Sequence, residues 1–168
     1  MKTKTKTKDW WVDHPRSDLW LSLPGLLAFL IPWESGAVLA VGGAVAGFAG
    51  VVLGMGAVVF TLVQQSTSPR LKEFRSKCYL TWRANWMGVL GGCVFAAACA
   101  LVGMSLSAVS SMATQALVGY ALVHVVIRTA RLAWLVTFYM DTDRLDSPQQ
   151  KELRDLAHPS RSEELASA

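Results

Sequence analysis

Four polar side chains recur at helical spacing along an otherwise apolar stretch near the C-terminal end of the chain. Tyr120, His124, Arg128 and Arg131 are separated by four, four and three positions, so a helix would present them all on one face. We call this set the polar stripe. A guanidinium near the centre of a bilayer costs at least about 2.5–3.5 kcal/mol. The stripe therefore requires partners, water or lipid headgroups.

The counter-charge of the stripe decides what chemistry it can do. The apolar runs contain no Asp or Glu, so we expect no acidic partner for either arginine at its depth. Water and mobile anions would make the stripe an anion-favouring path, as rings of arginine do in pores. Three alternatives stay open. Arg131 can extend to headgroups beside Trp134, Arg128 can bond across helices, and His124 can be a hydrogen-bonded packing residue or a pH sensor.

Long apolar runs define the class of the protein. Of 168 residues, 52% are hydrophobic, and the sequence predicts an all-α membrane protein with four transmembrane helices. The predicted spans cover about residues 19–33, 37–63, 86–105 and 112–134. The first is short, because 15 helical residues reach about 22 Å against about 30 Å of hydrocarbon. A kinked span and a re-entrant hairpin are alternative interpretations of this run, which contains Pro24 and Pro32. The lysines before it and Glu34–Ala37 after it also resemble a cleaved signal peptide, although Pro24 interrupts the apolar core and counts against that interpretation.

The basic residues predict the orientation. Five Lys or Arg precede the first run within the basic segment 1–18, five lie in the connector 64–85, and four lie in the polar tail 141–168. The two remaining loops have none, so both termini and the connector are predicted to be cytoplasmic. We expect a multi-pass protein of a bacterial-type inner membrane, with anionic headgroups near its lysines. A short helix is predicted from Ser147 to about Ala157.

Counting about 20 residues inward from the outer ends of the third and fourth runs places a belt at the inner interface. It holds both arginines of the stripe together with Trp82, Arg83, Trp86 and Trp134, and the same count places Asn85 at the level of Arg131.

Two of the runs carry small residues at spacings that favour close helix contact. In lipid these faces pack either against a helix of the same chain or against a second copy, and both remain open. The residues are Gly43, Gly47, Gly50 and Gly54 in the second run, and Gly88, Gly92 and Ala96 in the third.

No motif for catalysis or metal binding is present in the sequence. The cysteines lack zinc spacing, and no nucleophile–base pair is apparent. The string Asp141, Asp143 and Asp146 lacks the glycine and closing glutamate of a calcium loop. We therefore expect no enzyme, no cofactor and no metal. A nucleic-acid partner is not expected either, because the basic residues flank apolar runs.

Two functions follow as hypotheses from different classes. One is a homo-oligomeric pore or membrane effector whose path is lined by the polar stripe. The other is a non-catalytic accessory subunit that docks a partner protein through the connector and the C-terminal segment. The absence of an acidic partner for Arg128 favours the pore at this point.

Overall fold

The computed structural model describes His14 and residues 16–145. Within these residues the chain is helical and contains no strand. Helix α1 is Ser17–Leu21, and a 3₁₀ helix, η1, follows at Leu23–Leu30. The remaining α-helices are α2 (Ser35–Gln65), α3 (Pro69–Lys77), α4 (Tyr79–Ser105) and α5 (Ser111–Leu145), with a 3₁₀ turn, Leu106–Ala108, before α5. The lysine-rich start and the helix predicted from Ser147 lie outside the described residues.

In the described part of the chain, three helices are long and apolar enough to cross a membrane: Gly36–Gln65, Tyr79–Ala108 and Ser111–Thr142. They correspond to the second, third and fourth predicted runs, and these helices are confirmed. Each is longer than its predicted span, and α4 and α5 extend by two or more turns at the end that the basic residues mark as cytoplasmic.

The first predicted run does not form one long helix. Residues Ser17–Leu30 form a short apolar helical segment made of α1 and η1, which we call the docked segment. Pro24 lies at the start of η1, where its missing N–H costs nothing. Ile31 is extended, at φ −88° and ψ 128°, because it precedes Pro32 and a residue before proline avoids the helical region. The prolines therefore set both the start and the end of η1.

Serine side chains begin two of the later helices. The Ser68 hydroxyl accepts a hydrogen bond from the Leu71 N–H, with Pro69 as the first residue of α3. Ser110 does the same for Ala113 at the start of α5.

At the C-terminal end of α2, Arg75 donates hydrogen bonds to the carbonyls of Val63, Gln64 and Ser66. One basic residue of the connector thus caps a helix, in addition to any effect on orientation.

The core lies where α2, α4 and α5 meet. Small and β-branched side chains fill it, among them Ala49, Val52, Val89, Ala96 and Val125. On α4, Gly92 and Ala96 are buried and Gly88 is half-buried, so the small face of this helix packs inside the chain.

The glycine face of α2 points the other way. Gly43, Gly47, Gly50 and Gly54 are exposed, and a Cβ added at any of them would meet nothing within 4 Å. Among the described helices none covers these four glycines, so for this part of the chain the hypothesis that they pack against a helix of the same chain is wrong. The two glycine patterns look alike in the sequence and serve different surfaces.

A buried charged cluster as the candidate functional site

The polar stripe of α5 faces the docked segment inside the fold. His124 is 0% exposed, Arg131 1%, Arg128 4% and Tyr120 8%. The docked segment runs antiparallel to α5, so that Asp18 meets the arginines while Gly25 lies against Gly119 and Tyr120. All four residues of the stripe thus lie on one face, as their spacing predicts, and the structure adds that this face is buried. They contact protein rather than an open path through the single chain.

Asp18 supplies the carboxylate that the two arginines share. It is 0% exposed, and Arg131 grips it with two parallel bonds, Nε to Oδ2 at 2.8 Å and Nη2 to Oδ1 at 2.8 Å. Arg128 Nη1 donates to Oδ2 at 2.7 Å. Charge-assisted bonds of this forked geometry are the strongest that such groups form. The expectation that neither arginine has an acidic partner is wrong, because Asp18 enters from the segment before the first run.

Arg131 has a further hydrogen-bond partner on α4. Arg131 Nη1 donates to Asn85 Oδ1 at 2.6 Å, and Asn85 Nδ2 donates to the Thr81 carbonyl. Asn85 therefore ties α4 to the cluster at the depth that residue counting gives for Arg131. Together, Asp18, Asn85, His124, Arg128 and Arg131 form what we call the charged cluster.

Gly92 makes room for the cluster on α4. A Cβ at this position would overlap the guanidinium of Arg128, including its Nε, with Cζ at 2.9 Å. The arginine thus lies flat against the backbone of α4, which only glycine permits here. The spacing of small residues predicts helix packing for Gly92, and the group that packs on it is a charged side chain.

His124 links Arg128 to the docked segment through a directed chain of hydrogen bonds. Arg128 Nε donates to His124 Nε2 at 3.3 Å, so this nitrogen carries a lone pair. The Ser22 hydroxyl donates its one hydrogen to the Asp18 carbonyl at 2.6 Å. His124 Nδ1, 2.8 Å from Ser22 Oγ, must then be the donor of that contact. The pattern therefore assigns a neutral imidazole with its hydrogen on Nδ1.

The hydroxyl of Ser22 and the imidazole of His124 lie at hydrogen-bond distance, as a catalytic serine and its general base do. The sequence pattern does not indicate this contact. The hydrogen bonds run in the wrong direction for activation, since a base must accept the serine proton and His124 Nδ1 already carries one. We assign this contact to holding the docked segment in place.

Aromatic rings complete the wall around the imidazole. Tyr120 stacks on His124 at a centroid distance of 5.7 Å, and Phe95 of α4 meets both rings edge-on. The Tyr120 hydroxyl donates to the Leu19 carbonyl at 3.4 Å. Tyr120 thus also holds the docked segment.

The predicted belt at the inner interface is divided by the structure. Arg83 is exposed and Trp134 is half-buried, stacked on Phe138. Trp82 and Trp86 are buried instead. Their ring centroids lie 5.5 Å apart, and Trp86 also packs on Phe60. These two tryptophans belong to the core. Arg131 does not extend to headgroups either, since its guanidinium is held by Asp18 and Asn85.

Metal and surface chemistry add little to the site. The described residues contain no cluster of three or more His, Cys, Asp or Glu that could hold a metal ion. Of the acidic string, Asp141 and Asp143 lie in the last turns of α5, while Asp146 lies outside the described part. On α3, the hydrogen bond from Lys77 lowers the pKa of the exposed Glu73 carboxyl.

Over the residues that the structure describes, fold and site define an all-helical protein with three helices long and apolar enough to cross a membrane and a buried charged cluster between α4, α5 and the docked segment. No family model, curated protein or solved structure matches this chain.

Proposed function

We propose that this protein is a non-catalytic integral membrane subunit that crosses the bilayer four times and associates with a second copy of itself. The observation that carries the proposal is the closed charged cluster. Because Asp18 meets both arginines inside the chain, the stripe no longer requires water or mobile anions to offset its charge. The main argument for a pore lined by the polar stripe therefore no longer holds, and the accessory subunit becomes the better-supported function.

The docked segment supports the fourth crossing. It lies beside α5 between Arg131 and Gly119, inside the stretch of α5 that is apolar enough to span. A 3₁₀ helix rises about 2.0 Å per residue against 1.5 Å in an α-helix, so the segment reaches about 25 Å. The side of the segment that faces away from α5 exposes large apolar side chains suited to contact with lipid, among them Trp20, Leu27 and Leu30. Both features fit a short fourth span.

Labelling from the two sides of the membrane tests this topology. Arg16→Cys should react with an impermeant maleimide from the same side as the native Cys78 of the connector, because the docked segment crosses once. Glu34→Cys should react from the opposite side. The background carries alanine at Cys93 and Cys99, so that only the intended thiols are present. Labelling of Arg16→Cys and Glu34→Cys from one side would show that the segment does not cross.

The glycine face of α2 supports self-association. Its four glycines form an exposed strip, and within the described part of the chain a Cβ added at any of them would meet nothing within 4 Å; Ala40 and Thr61 continue the strip as small exposed residues at its two ends. In lipid, helices associate by close van der Waals contact rather than by burying apolar area, and a strip of small residues permits the closest approach. A second copy presenting the same strip is the occupant that we propose.

Gly47→Leu should weaken this association by about tenfold to a hundredfold, since overpacking a close contact costs about 1–3 kcal/mol. Native mass spectrometry across a range of protein-to-detergent ratios measures the effect. Gly91→Leu is the matched control, because Gly91 is equally open but lies on α4. Equal oligomer populations in the unmodified protein, Gly47→Leu and Gly91→Leu would contradict the proposed contact.

The same reconstituted oligomer separates the two functional hypotheses. An accessory subunit should show no conductance in a planar bilayer. A conductance that Arg128→Leu reshapes while the oligomer persists would instead restore the pore. For partner docking, we place the contact on the exposed Lys72 and Arg83, because Arg75 and Lys77 already have partners in the chain.

A further inference from the structure

Several of the polar contacts between the docked segment and α5 meet around one titratable ring. His124 accepts a hydrogen bond from Arg128 and donates one to Ser22, and Ser22 in turn bonds to the Asp18 carbonyl. The neutral imidazole with its hydrogen on Nδ1 satisfies every step of this chain. The cationic form does not, since both of its nitrogens are donors.

Protonation would place two N–H groups against each other. A hydrogen on His124 Nε2 points at the Arg128 Nε–H that now donates to it, so this bond is lost and two donors meet. The Arg128 guanidinium would also gain a second positive charge as its neighbour. Like charges at hydrogen-bond distance repel strongly in a medium of low dielectric constant.

The groups that face His124 offer little compensation. The docked segment contributes Ser22, the backbone carbonyl of Asp18, and the Asp18 carboxylate, which is already shared by two arginines. Helix α4 contributes the ring edge of Phe95, and α5 contributes Arg128 and the stacked ring of Tyr120. Asp18 is the acidic group among these neighbours, and it stands against Arg128 and Arg131 together. One more positive charge therefore weakens the cluster.

We propose that His124 is a proton-sensitive latch, in which protonation of its imidazole releases the docked segment from α5. The latch is independent of the proposed self-association, because its residues belong to the docked segment, α4 and α5 and include none of the α2 glycines. A free imidazole titrates near pH 6.5. Since the docked state excludes the proton, docking is undiminished above this pH. Below it, the ratio of docked to released segment falls by up to tenfold per pH unit.

The release is measured by the distance between two spin labels. They are placed at Leu27→Cys on the docked segment and Leu122→Cys on α5, both exposed positions, in a background with alanine at the three native cysteines. Between pH 7.5 and 4.5, a longer or broader distance distribution should appear in lipid nanodiscs. The change should reverse when the pH is raised again.

His124→Gln provides the control, because a glutamine side chain can accept from Arg128 and donate to Ser22 without titrating. In this variant the distance should stay short at every pH. A distance that does not change with pH in the unmodified His124 protein overturns the latch. A pH-dependent change that persists in His124→Gln overturns it as well, since another group would then be responsible.

A second measurement keeps the proposal testable if His124→Gln fails to fold. Nitrogen-15 chemical shifts of labelled histidine, recorded in a chain with His14→Gln and His158→Gln, report the state of His124 directly. The latch requires a neutral ring with hydrogen on Nδ1 at pH 7.5, and a cationic ring at the pH where the segment moves. The other tautomer at pH 7.5, or movement without protonation, overturns it.

Discussion

Asp18→Asn should lower the free energy of unfolding by about 3–5 kcal/mol, the cost of breaking a buried ion pair by removing one partner. The substitution leaves Arg128 and Arg131 facing each other without a carboxylate, in a site where Arg131 is 1% exposed. Unfolding by sodium dodecyl sulfate from mixed micelles measures the loss. Glu34→Gln is the control, since it removes the same charge from an exposed position.

Replacing all three ion-paired residues with apolar residues should have a different effect on stability. A chain with Asp18→Leu, Arg128→Leu and Arg131→Met carries no uncompensated charge, so its stability should return to about that of the original chain or exceed it. This combined variant separates stability from any activity of the cluster. An Asp18→Asn protein as stable as the unmodified chain would show that the carboxylate is not the partner of the arginines.

Gly119→Ala should destabilise the chain by about 1–3 kcal/mol through overpacking at the contact between α5 and η1. An added Cβ would overlap the Cβ of Ala28 and the carbonyl oxygen of Gly25. The backbones themselves touch here, so a rotamer change cannot relieve the overlap. The reciprocal change at Gly25 meets the Gly119 carbonyl oxygen at 2.5 Å and should have the same effect.

Gly91→Ala is the matched control for this prediction. It adds the same methyl group to a helical glycine with nothing within 4 Å. Alanine has the higher helix propensity, by about 1 kcal/mol, so this variant should be neutral or slightly more stable. The free energies of unfolding of Gly119→Ala and Gly91→Ala are measured in a detergent that keeps the chain monomeric. Equal effects of the two changes would mean that Gly119 and Gly25 are not in contact.

Much of the fold is written in local patterns. Apolar runs of 20 to 30 residues can satisfy their backbone in lipid only as helices, and this is why α2, α4 and α5 are predicted correctly. Helical periodicity likewise places Tyr120, His124, Arg128 and Arg131 on one buried face. Residue counting from the outer ends also brings Asn85 to the depth of Arg131.

The first apolar run shows where local reasoning becomes incomplete. Its composition resembles that of a span, and Pro24 and Pro32 indicate an interruption. The division into α1 and η1 depends in addition on what the segment packs against. Gly25 and Gly119 have no special spacing in the sequence, and they matter because the two backbones meet at this point.

The partner of the stripe is a property of the tertiary structure alone. Asp18 lies 110 residues from Arg128, at the end of a segment whose lysines dominate its composition. The available signal was an acidic residue directly before an apolar run, one turn ahead of Ser22. The two glycine faces make the same point, since that of α4 packs inside and that of α2 points out. Periodicity determines which side chains share a face, whereas the chain's path through space decides what that face meets.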